Sequence, residues 1–327
     1  MHSLSSAALR VARVGFAVTA FFAAEVLRAN CGSATCPIDP QSMNLPGARQ
    51  LTLDLSFQYI DQDRPRIGTR SARIGEIPST HDEVRTVNRI GTLLVSYAPT
   101  DRLILALSAP WVSRFHEHIE EETGHTERWR FDAAGDVALS ARYAVGGNFW
   151  VSSAVKLPTG RRRPANEDGE IAEVTIAPGS GSTDVSVGAG YQSQMTVPSL
   201  SPGVLGNAAA MPVFAGVTYK VNGSGTNRYR QGNELQASAG LIYPVFRSLQ
   251  AIFQVNARVK AKDGVGDTGE DRDHTGGSFV YASPGLRVSL PGGLAVYGIV
   301  QLPLYQRVNG IQLTARYNLL AGVQARF

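Results

Sequence analysis

Apolar and polar residues alternate along most of this chain with a period of two. In LTLDLSFQY (51–59), leucine and aromatic residues take one set of alternate positions and polar residues take the other. Successive side chains of an extended strand point to opposite faces, so the pattern predicts strands with one apolar and one polar face. Twelve segments follow it, at 51–59, 86–97, 103–113, 136–145, 149–157, 183–192, 213–221, 234–243, 249–260, 278–290, 294–305 and 315–327.

The connections between these segments alternate between short and long. Short turns lie at 98–101, 146–148, 244–248 and 291–293, and long polar loops at 61–84, 114–134, 160–182, 222–232 and 261–276. Each segment is near the roughly 9 to 11 residues with which a tilted strand crosses a bilayer. The sequence therefore predicts an all-β, transmembrane, antiparallel up-and-down β-barrel of about 12 strands, with short periplasmic turns and long external loops.

One connection, 194–211, is too long for the short-turn side, and we expect a small helix or a plug there. The alternative fold is a soluble β-sandwich, which also has many short strands. Aromatic residues at the strand ends, including Tyr97, Trp111, Trp150 and Tyr281, favour girdles at two membrane interfaces. Polar residues in the middle of strands suit a wet lumen and would be costly in a packed core.

The N-terminal residues differ from the rest of the chain. Arg10 and Arg13 precede the apolar stretch 14–24, which is typical of an export signal and too short to span a membrane. We predict a signal peptide at 1–29 with cleavage after Ala24 or Ala29, a periplasmic segment at 30–49 and a barrel at 50–327. The predicted location is the outer membrane, in contact with lipid and lipopolysaccharide. A net charge of +4 without a long basic run excludes a nucleic-acid partner.

Several stretches together resemble one Gram-negative outer-membrane family. They are KLPTG (156–160), PGSGSTDVSVGAGY (178–191), GNELQASAGLIY (232–243), YASPGLRVSL (281–290) and the segment 300–327. The family is often labelled transporters or phenol-degradation meta-pathway proteins. The resemblance implies passage of small molecules, including aromatic ones, without cofactors. The aromatic Phe327 at the end of the last alternating segment resembles the signal read by the barrel-assembly machinery, which we predict as a partner of a monomeric barrel.

Two cysteines follow the predicted signal. Cys31 and Cys36 lie in an oxidising compartment if the chain is exported, which predicts a disulfide closing a short loop. The alternative is metal binding, although two thiolates with no His or Met beside them make a poor site. This segment also supplies the alternative function, a non-conducting barrel that docks an exported redox or metal-handling partner.

The histidines of the mature chain all fall in predicted loops. His116, His118 and His125 lie among glutamates in 114–130 and are weak metal candidates, because a solvated loop explains the same composition. No histidine shares a strand with a nucleophile at fixed spacing, so we predict no catalytic residues and no enzyme. A surface hydrolase is the least favoured hypothesis.

The polar faces of the strands define the predicted lumen. The acidic residues assigned to it are Asp54, Asp136, Asp184 and Glu234, and the basic residues are Arg89, Arg142, Lys156, Arg258, Lys260, Arg287, Arg316 and Arg326. This set is net basic, and arginine or lysine rings inside a narrow pore favour anions. The alternative is that these charges pair across strands and hold the wall together. The predicted function is a channel that passes small anionic or aromatic solutes.

Overall fold

The computed structural model describes residues 48–76, 82–119, 124–201, 206–268 and 271–327. These residues form an antiparallel sheet that closes on itself, because the first strand pairs with the last. The strands are β1 Gln50–Ile67, β2 Arg70–Ser71, β3 Asp82–Ala98, β4 Leu103–Ile119, β5 Thr126–Ala134, β6 Ala138–Gly146, β7 Phe149–Lys156, β8 Asp184–Pro198, β9 Ala208–Val221, β10 Glu234–Pro244, β11 Leu249–Lys260, β12 Gly277–Ser289, β13 Leu294–Val308 and β14 Ile311–Arg326.

The barrel has twelve strand positions, as the sequence predicts. The two-residue β2 only extends the edge of β1. β5 and β6 share one position, since β5 pairs with Trp111–Ile119 of β4 and β6 pairs with Leu103–Ser108 of the same strand. The chain leaves regular pairing between them, at 135–137, so this wall position contains a break.

β1 and β14 form the seam that closes the barrel. Their register runs from Thr52 opposite Arg326 to Ile67 opposite Ile311, with irregularities in the middle. At the short-turn end the Leu51 N–H donates to the Phe327 carbonyl oxygen (3.1 Å) and the Phe327 N–H donates to the Leu51 carbonyl oxygen (2.9 Å). Phe327 is therefore bonded to β1 through its backbone, while its ring is exposed on the barrel surface.

The two faces of the barrel wall differ in polarity. The exposed side chains of the outer face are mostly apolar, among them Leu55, Leu93, Leu139, Val187 and Val323. The inner face carries most of the buried polar side chains of the described residues. This is the arrangement that lipid outside and a polar lumen inside require. In the part of the chain that the structure describes, no helix is both long and apolar enough to cross a membrane.

The predicted loops 61–84 and 114–134 are shorter than predicted, because strands extend into both ranges. β1 continues to Ile67 and β3 begins at Asp82, while β4 continues to Ile119 and is followed by β5. The outer face of these extensions carries ion pairs such as Arg85 with Asp61 (2.6 Å) and Arg128 with Glu117 (2.6 Å). Both faces are polar there, so the apolar–polar alternation that marks a strand in sequence is lost.

The connector 194–211 is also different from the prediction. β8 runs to Pro198 and β9 starts at Ala208, with Pro198 opposite Ala208 in the register. Among the residues described in this connector, 194–201 and 206–211, the structure shows strand and a short turn instead of a helix or plug. Met195 and Met211 sit opposite each other and continue the ladder at its short-turn end.

The wall is incompletely paired between β13 and β14. Their ladder covers Leu294–Gln301 against Asn318–Ala325, and beyond Gln301 each strand pairs only with its other neighbour. Pro303 follows in β13 and has no N–H to donate, which is consistent with pairing that stops at this level. The side chain of Gln306 bridges the two strands there, donating from Nε2 to the Ala315 carbonyl oxygen (3.2 Å).

Candidate functional site: the barrel lumen

Amide side chains line the middle of the lumen and belong to strands on several sides of the barrel. They are nearly or fully buried from solvent, and the set comprises Asn88, Gln192, Gln254, Asn256, Gln301 and Asn318. Asn318 donates from Nδ2 to Gln301 Oε1 (2.7 Å) and Asn88 donates from Nδ2 to Gln62 Oε1 (3.1 Å). Because these side chains are closed off from solvent, the interior is filled by side chains at their level, and the amides bond to one another and to the wall.

Many charged side chains at the extracellular mouth form pairs of opposite charge. Lys156 contacts Asp136 (2.7 Å) and Asp184 (3.0 Å), and Lys220 also contacts Asp184 (3.2 Å). Four cations, Lys156, Lys220, Arg258 and Lys260, thus face four carboxylates, Asp136, Asp184, Glu234 and Asp263. The sequence analysis gave the alternative that lumenal charges pair across strands. At this end of the lumen the charges do pair in this way.

The Arg258–Glu234 pair is the most regular of these contacts. Arg258 donates from Nη2 to Glu234 Oε1 (2.9 Å) and from Nε to Oε2 (3.0 Å), and both side chains are buried. The two residues lie on adjacent strands, β11 and β10, on the inner face. A bidentate pair of this geometry fixes both side chains against the wall.

Asp136 joins the break in the wall to the loop that follows β7. Its Oδ1 accepts from the Gly160 N–H (2.9 Å), and its Oδ2 accepts from the Ser180 N–H (3.0 Å) as well as from Lys156. Glycine is required where the segments meet, since a Cβ at Gly160 would lie 2.7 Å from the backbone of Gly135. Both ends of the loop 157–183 are therefore fastened at the level of 135–137.

The loop 157–183 packs against the inner face of β4 and β5. Trp129 and Phe131 of β5 form an apolar cluster with Ala172 and Ile176 of the loop. Trp129 also donates from Nε1 to the Glu170 carbonyl oxygen (3.2 Å), and the Arg114 guanidinium donates to the carbonyl oxygen of Ile176. The loop narrows the extracellular half of the lumen from one side.

His116 and His118 lie in β4 on this inner face, so their prediction as loop residues is wrong. The His118 Nε2 is 2.8 Å from Glu127 Oε2 and its Nδ1 is 3.8 Å from Glu173 Oε1 of the loop. His116 Nδ1 is 2.8 Å from Thr86 Oγ1, and His125 precedes β5. No group of three His, Cys, Asp or Glu residues within the described ranges is placed to hold a metal ion.

The external loops also contact one another. Asp263 is fully buried, where its carboxylate accepts from the Gly232 N–H (2.6 Å), from Tyr229 and from Lys260. Arg228 pairs with Asp267 on the surface outside the bilayer, and its hydrogen bond holds the pKa of Asp267 below the ordinary value. These contacts make the loops a connected rim around the extracellular mouth.

The periplasmic end of the lumen has a different charge pattern. Arg287 donates from Nη2 to Gln324 Oε1 (2.7 Å), and Arg326 donates from Nη2 to the same oxygen (3.2 Å). Asp54 accepts from Tyr297 Oη (2.8 Å) and from Gln324 Nε2 (3.3 Å). Cations at this end are thus bonded to a neutral amide oxygen, in contrast to the matched pairs at the other mouth.

Trp150 lies flat on the inner wall, so its prediction as a girdle residue is wrong. Its ring covers Gly190, where a Cβ would lie 2.5 Å from Trp150 Cε2, and reaches Gly216 on the next strand. The Arg142 guanidinium carbon sits 4.3 Å from the centroid of the same ring. Tyr281, the other misassigned aromatic residue, is fully buried and accepts at Oη from Gln306 Nε2 (3.2 Å).

Some residues predicted to face the lumen lie elsewhere, and some lumenal residues were not predicted. Arg89 is exposed on the outer face, 6.0 Å from the Tyr59 ring centroid, and Arg316 is exposed beside an irregularity in the seam. Lys220, Asp263 and Arg114 were missed, the last because this part of its strand was predicted as a loop. Lys220 alternates in phase with the lumenal positions of β9 and could have been found, whereas Asp263 lies in a loop without periodicity. Cys31 and Cys36 lie outside the described residues.

The fold and the polar lumen define the class as an outer-membrane β-barrel. No family model and no curated protein matches the chain. The COG4313 outer membrane channel from Pseudomonas putida F1 has a similar structure, with a TM-score of 0.58 and 14% identity over 89% of this chain and 100% of that chain. This likeness shows a shared fold, and the family resemblance found in the sequence stays a prediction.

Two other barrels are similar at a lower level. The translocator domain of the autotransporter NalP from Neisseria meningitidis has a TM-score of 0.47 and 12% identity over 86% of this chain and 90% of that chain. The Pseudomonas putida toluene transporter TodX has a TM-score of 0.43 and 11% identity over 91% of this chain and 95% of that chain. TM-scores below 0.5 are too low to support a conclusion about this chain.

Proposed function

We propose that this protein is an outer-membrane channel that lets small solutes pass without chemical change. The observation that carries the proposal is the closed wall, apolar outside, around an interior that holds most of the buried polar side chains. The periplasmic half of this interior also holds an apolar cluster of Ile242, Ile252, Tyr297, Ile299 and Leu320. The channel class of the P. putida F1 structure with the same fold supports the proposal. Twelve strands enclose a bore between the filled eight-stranded barrels and the open sixteen-stranded porins.

The loop 157–183 sets the proposed selectivity for size. It occupies one side of the extracellular half, where Trp129 and Arg114 hold it against the wall. Polar and amide groups on the inner face of the opposite strands are buried, and they become hydrogen-bonding partners for a small solute where side chains or the loop move aside. Large solutes are excluded unless the loop moves, which makes the channel selective for small molecules.

Single-channel recording of the refolded protein in a planar bilayer tests this function. We expect discrete conductance steps that are much smaller than those of sixteen-stranded porins, because the bore is narrower. Liposome swelling with sugars of increasing size is the matched measurement, and swelling should stop at small sugars. A folded, heat-modifiable barrel that gives neither conductance nor swelling would contradict the proposal.

A further inference from the structure

Two arginines at the periplasmic mouth share one neutral acceptor. Arg287 of β12 and Arg326 of β14 both donate to Gln324 Oε1, at 2.7 and 3.2 Å. Arg287 is almost completely buried and Arg326 is half-buried, so neither is a mobile surface side chain. Since both bonds end on the same atom, the two guanidinium groups are held close together.

In this arrangement the two positively charged guanidinium groups repel each other. Like charges that are close together and partly shielded from water repel, and one amide oxygen carries too little charge to offset two cations. Neither arginine forms an ion pair with any residue that the structure describes. Asp54 attracts Arg287, and its oxygens also accept from Tyr297 Oη and Gln324 Nε2, so one negative charge lies near two positive charges.

An anion bound between the two guanidinium groups would remove the repulsion. We propose that Arg287 and Arg326 form a binding site for the carboxylate group of a small solute at the periplasmic mouth. A guanidinium group presents paired N–H donors that match the two oxygens of a carboxylate. Gln324 Oε1 now occupies the position of one carboxylate oxygen, and rotation of this amide would vacate it.

This proposal rests on the proposed channel function. It adds that carboxylates are the solutes that the channel favours. At the extracellular mouth four cations face four carboxylates, which adds little preference there. A further inner-face cation, Arg114, is bonded to the neutral oxygens Asn88 Oδ1 and Ile176 O and is enclosed between the wall and the loop. The preference for anions is therefore concentrated at the periplasmic end. A cationic site near a pore mouth raises the local concentration of anions and their rate of passage.

The test compares the wild-type protein with Arg287→Gln, Arg326→Gln and the double variant in planar bilayers. Arg89→Gln is the matched control, because it removes the same charge from the exposed outer face. In a KCl gradient, the wild-type reversal potential should indicate chloride preference. The double variant should lose most of that preference and Arg89→Gln should keep it. Heat-modifiable migration shows that each variant is folded.

Acetate then probes the carboxylate site directly. Potassium acetate added to the periplasmic side should reduce the chloride current of the wild type. The double variant should need at least about tenfold more acetate for the same reduction, since two charge-assisted hydrogen bonds are lost. Equal sensitivity in both proteins would overturn the site, and reduction by inorganic phosphate but not by acetate would overturn its assignment to carboxylates.

Thermal unfolding separates failure of the site from failure of the channel. Acetate should raise the melting temperature of the wild type and leave that of the double variant unchanged, because only the folded site binds it. A silent barrel that acetate still stabilises would refute the channel and keep the site. A conducting barrel without chloride preference or acetate effect would refute the site and keep the channel.

Discussion

At the scale of single residues, the inner wall depends on glycines that accommodate aromatic rings. Trp150 covers Gly190, Phe214 lies against Gly240, and Tyr297 lies against Gly322. Each ring takes the space above a glycine that a Cβ would otherwise fill, so ring and backbone pack closely. These glycines serve close packing, because none of the three has a positive φ.

Gly190→Ala should destabilise the barrel. The added Cβ would lie 2.5 Å from both Trp150 Cε2 and the Ala215 carbonyl oxygen, so the ring and the backbone would have to move. We expect a loss of about 1–3 kcal/mol in the free energy of unfolding. The measurement is urea-induced unfolding of the refolded protein in lipid or detergent.

Gly298→Ala is the matched control for that substitution. Gly298 also lies in a strand, and a Cβ there meets nothing within 4 Å. It should leave stability unchanged or raise it slightly, because alanine restricts the unfolded chain more than glycine does. Equal destabilisation by the two variants would show that ring packing at Gly190 is unimportant.

At the scale of elements, the loop 157–183 is held by side chains of β4 and β5. The apolar cluster of Trp129, Phe131, Ala172 and Ile176 excludes water from one contact, and backbone acceptors of the loop satisfy Trp129 and Arg114 in the others. Movement of this loop would change the bore more than any single lumenal side chain could. If the proposed channel function is right, we expect the attachment of this loop to control the conductance.

Trp129→Ala should release the loop from the wall. Removal of a buried tryptophan costs about 3–5 kcal/mol of local packing. We expect larger and noisier single-channel conductance, and limited proteolysis within 161–177 that is at least about tenfold faster, since cleavage follows the open population. Trp111→Ala is the control, because Trp111 lies on the neighbouring β4 and is exposed. Unchanged proteolysis in Trp129→Ala would mean that other contacts hold the loop.

The strands that cross the bilayer could be predicted from sequence, and their extensions could not. Within the membrane, lipid forces every second residue to be apolar, so the alternation of β10 or β11 is unambiguous. Above the membrane, Asp61, Arg85, Glu117 and Arg128 occupy outer positions because that face meets water. The pattern then resembles that of a solvated loop.

Alternation in the sequence predicts which side chains face the lumen, but it does not predict which of them pair. Alternation gave the correct facing of Arg142, Arg287 and Arg326. It gave the wrong facing of Arg89 and Arg316, although both lie in recognised strands. Which charges neutralise one another depends on side-chain contacts that alternation does not specify, such as Lys156 with both Asp136 and Asp184. The division into a matched extracellular mouth and a cationic periplasmic mouth required the structure.

At the scale of the whole molecule, the predicted role of Phe327 in assembly can be tested separately from any contribution to stability. Its ring is 70% exposed, so the folded barrel gains little from it, while its backbone bonds to Leu51 do not depend on the side chain. Phe327→Ala should refold in detergent with unchanged heat-modifiable migration. In cells we expect less folded protein in the outer membrane, measured by fractionation and immunoblotting.

Val323→Ala is the control for that variant, because it removes another exposed apolar side chain from the same strand. It should assemble normally. Equal accumulation of the two variants in the outer membrane would argue against recognition of Phe327 by the assembly machinery. Failure of Phe327→Ala to refold in detergent would instead show that the ring stabilises the seam.

The seam also has a consequence for the order of folding. It joins β1 to β14, and the hydrogen bond between Gln324 and Asp54 spans 270 residues of chain. Contacts this distant in sequence carry a large loop-closure entropy and form slowly. Hairpins between neighbouring strands can form early, but β1 retains an open edge until β14 arrives. The unpaired β1 is then a template for pairing with other chains, so the interval before closure is when this protein is most prone to aggregate.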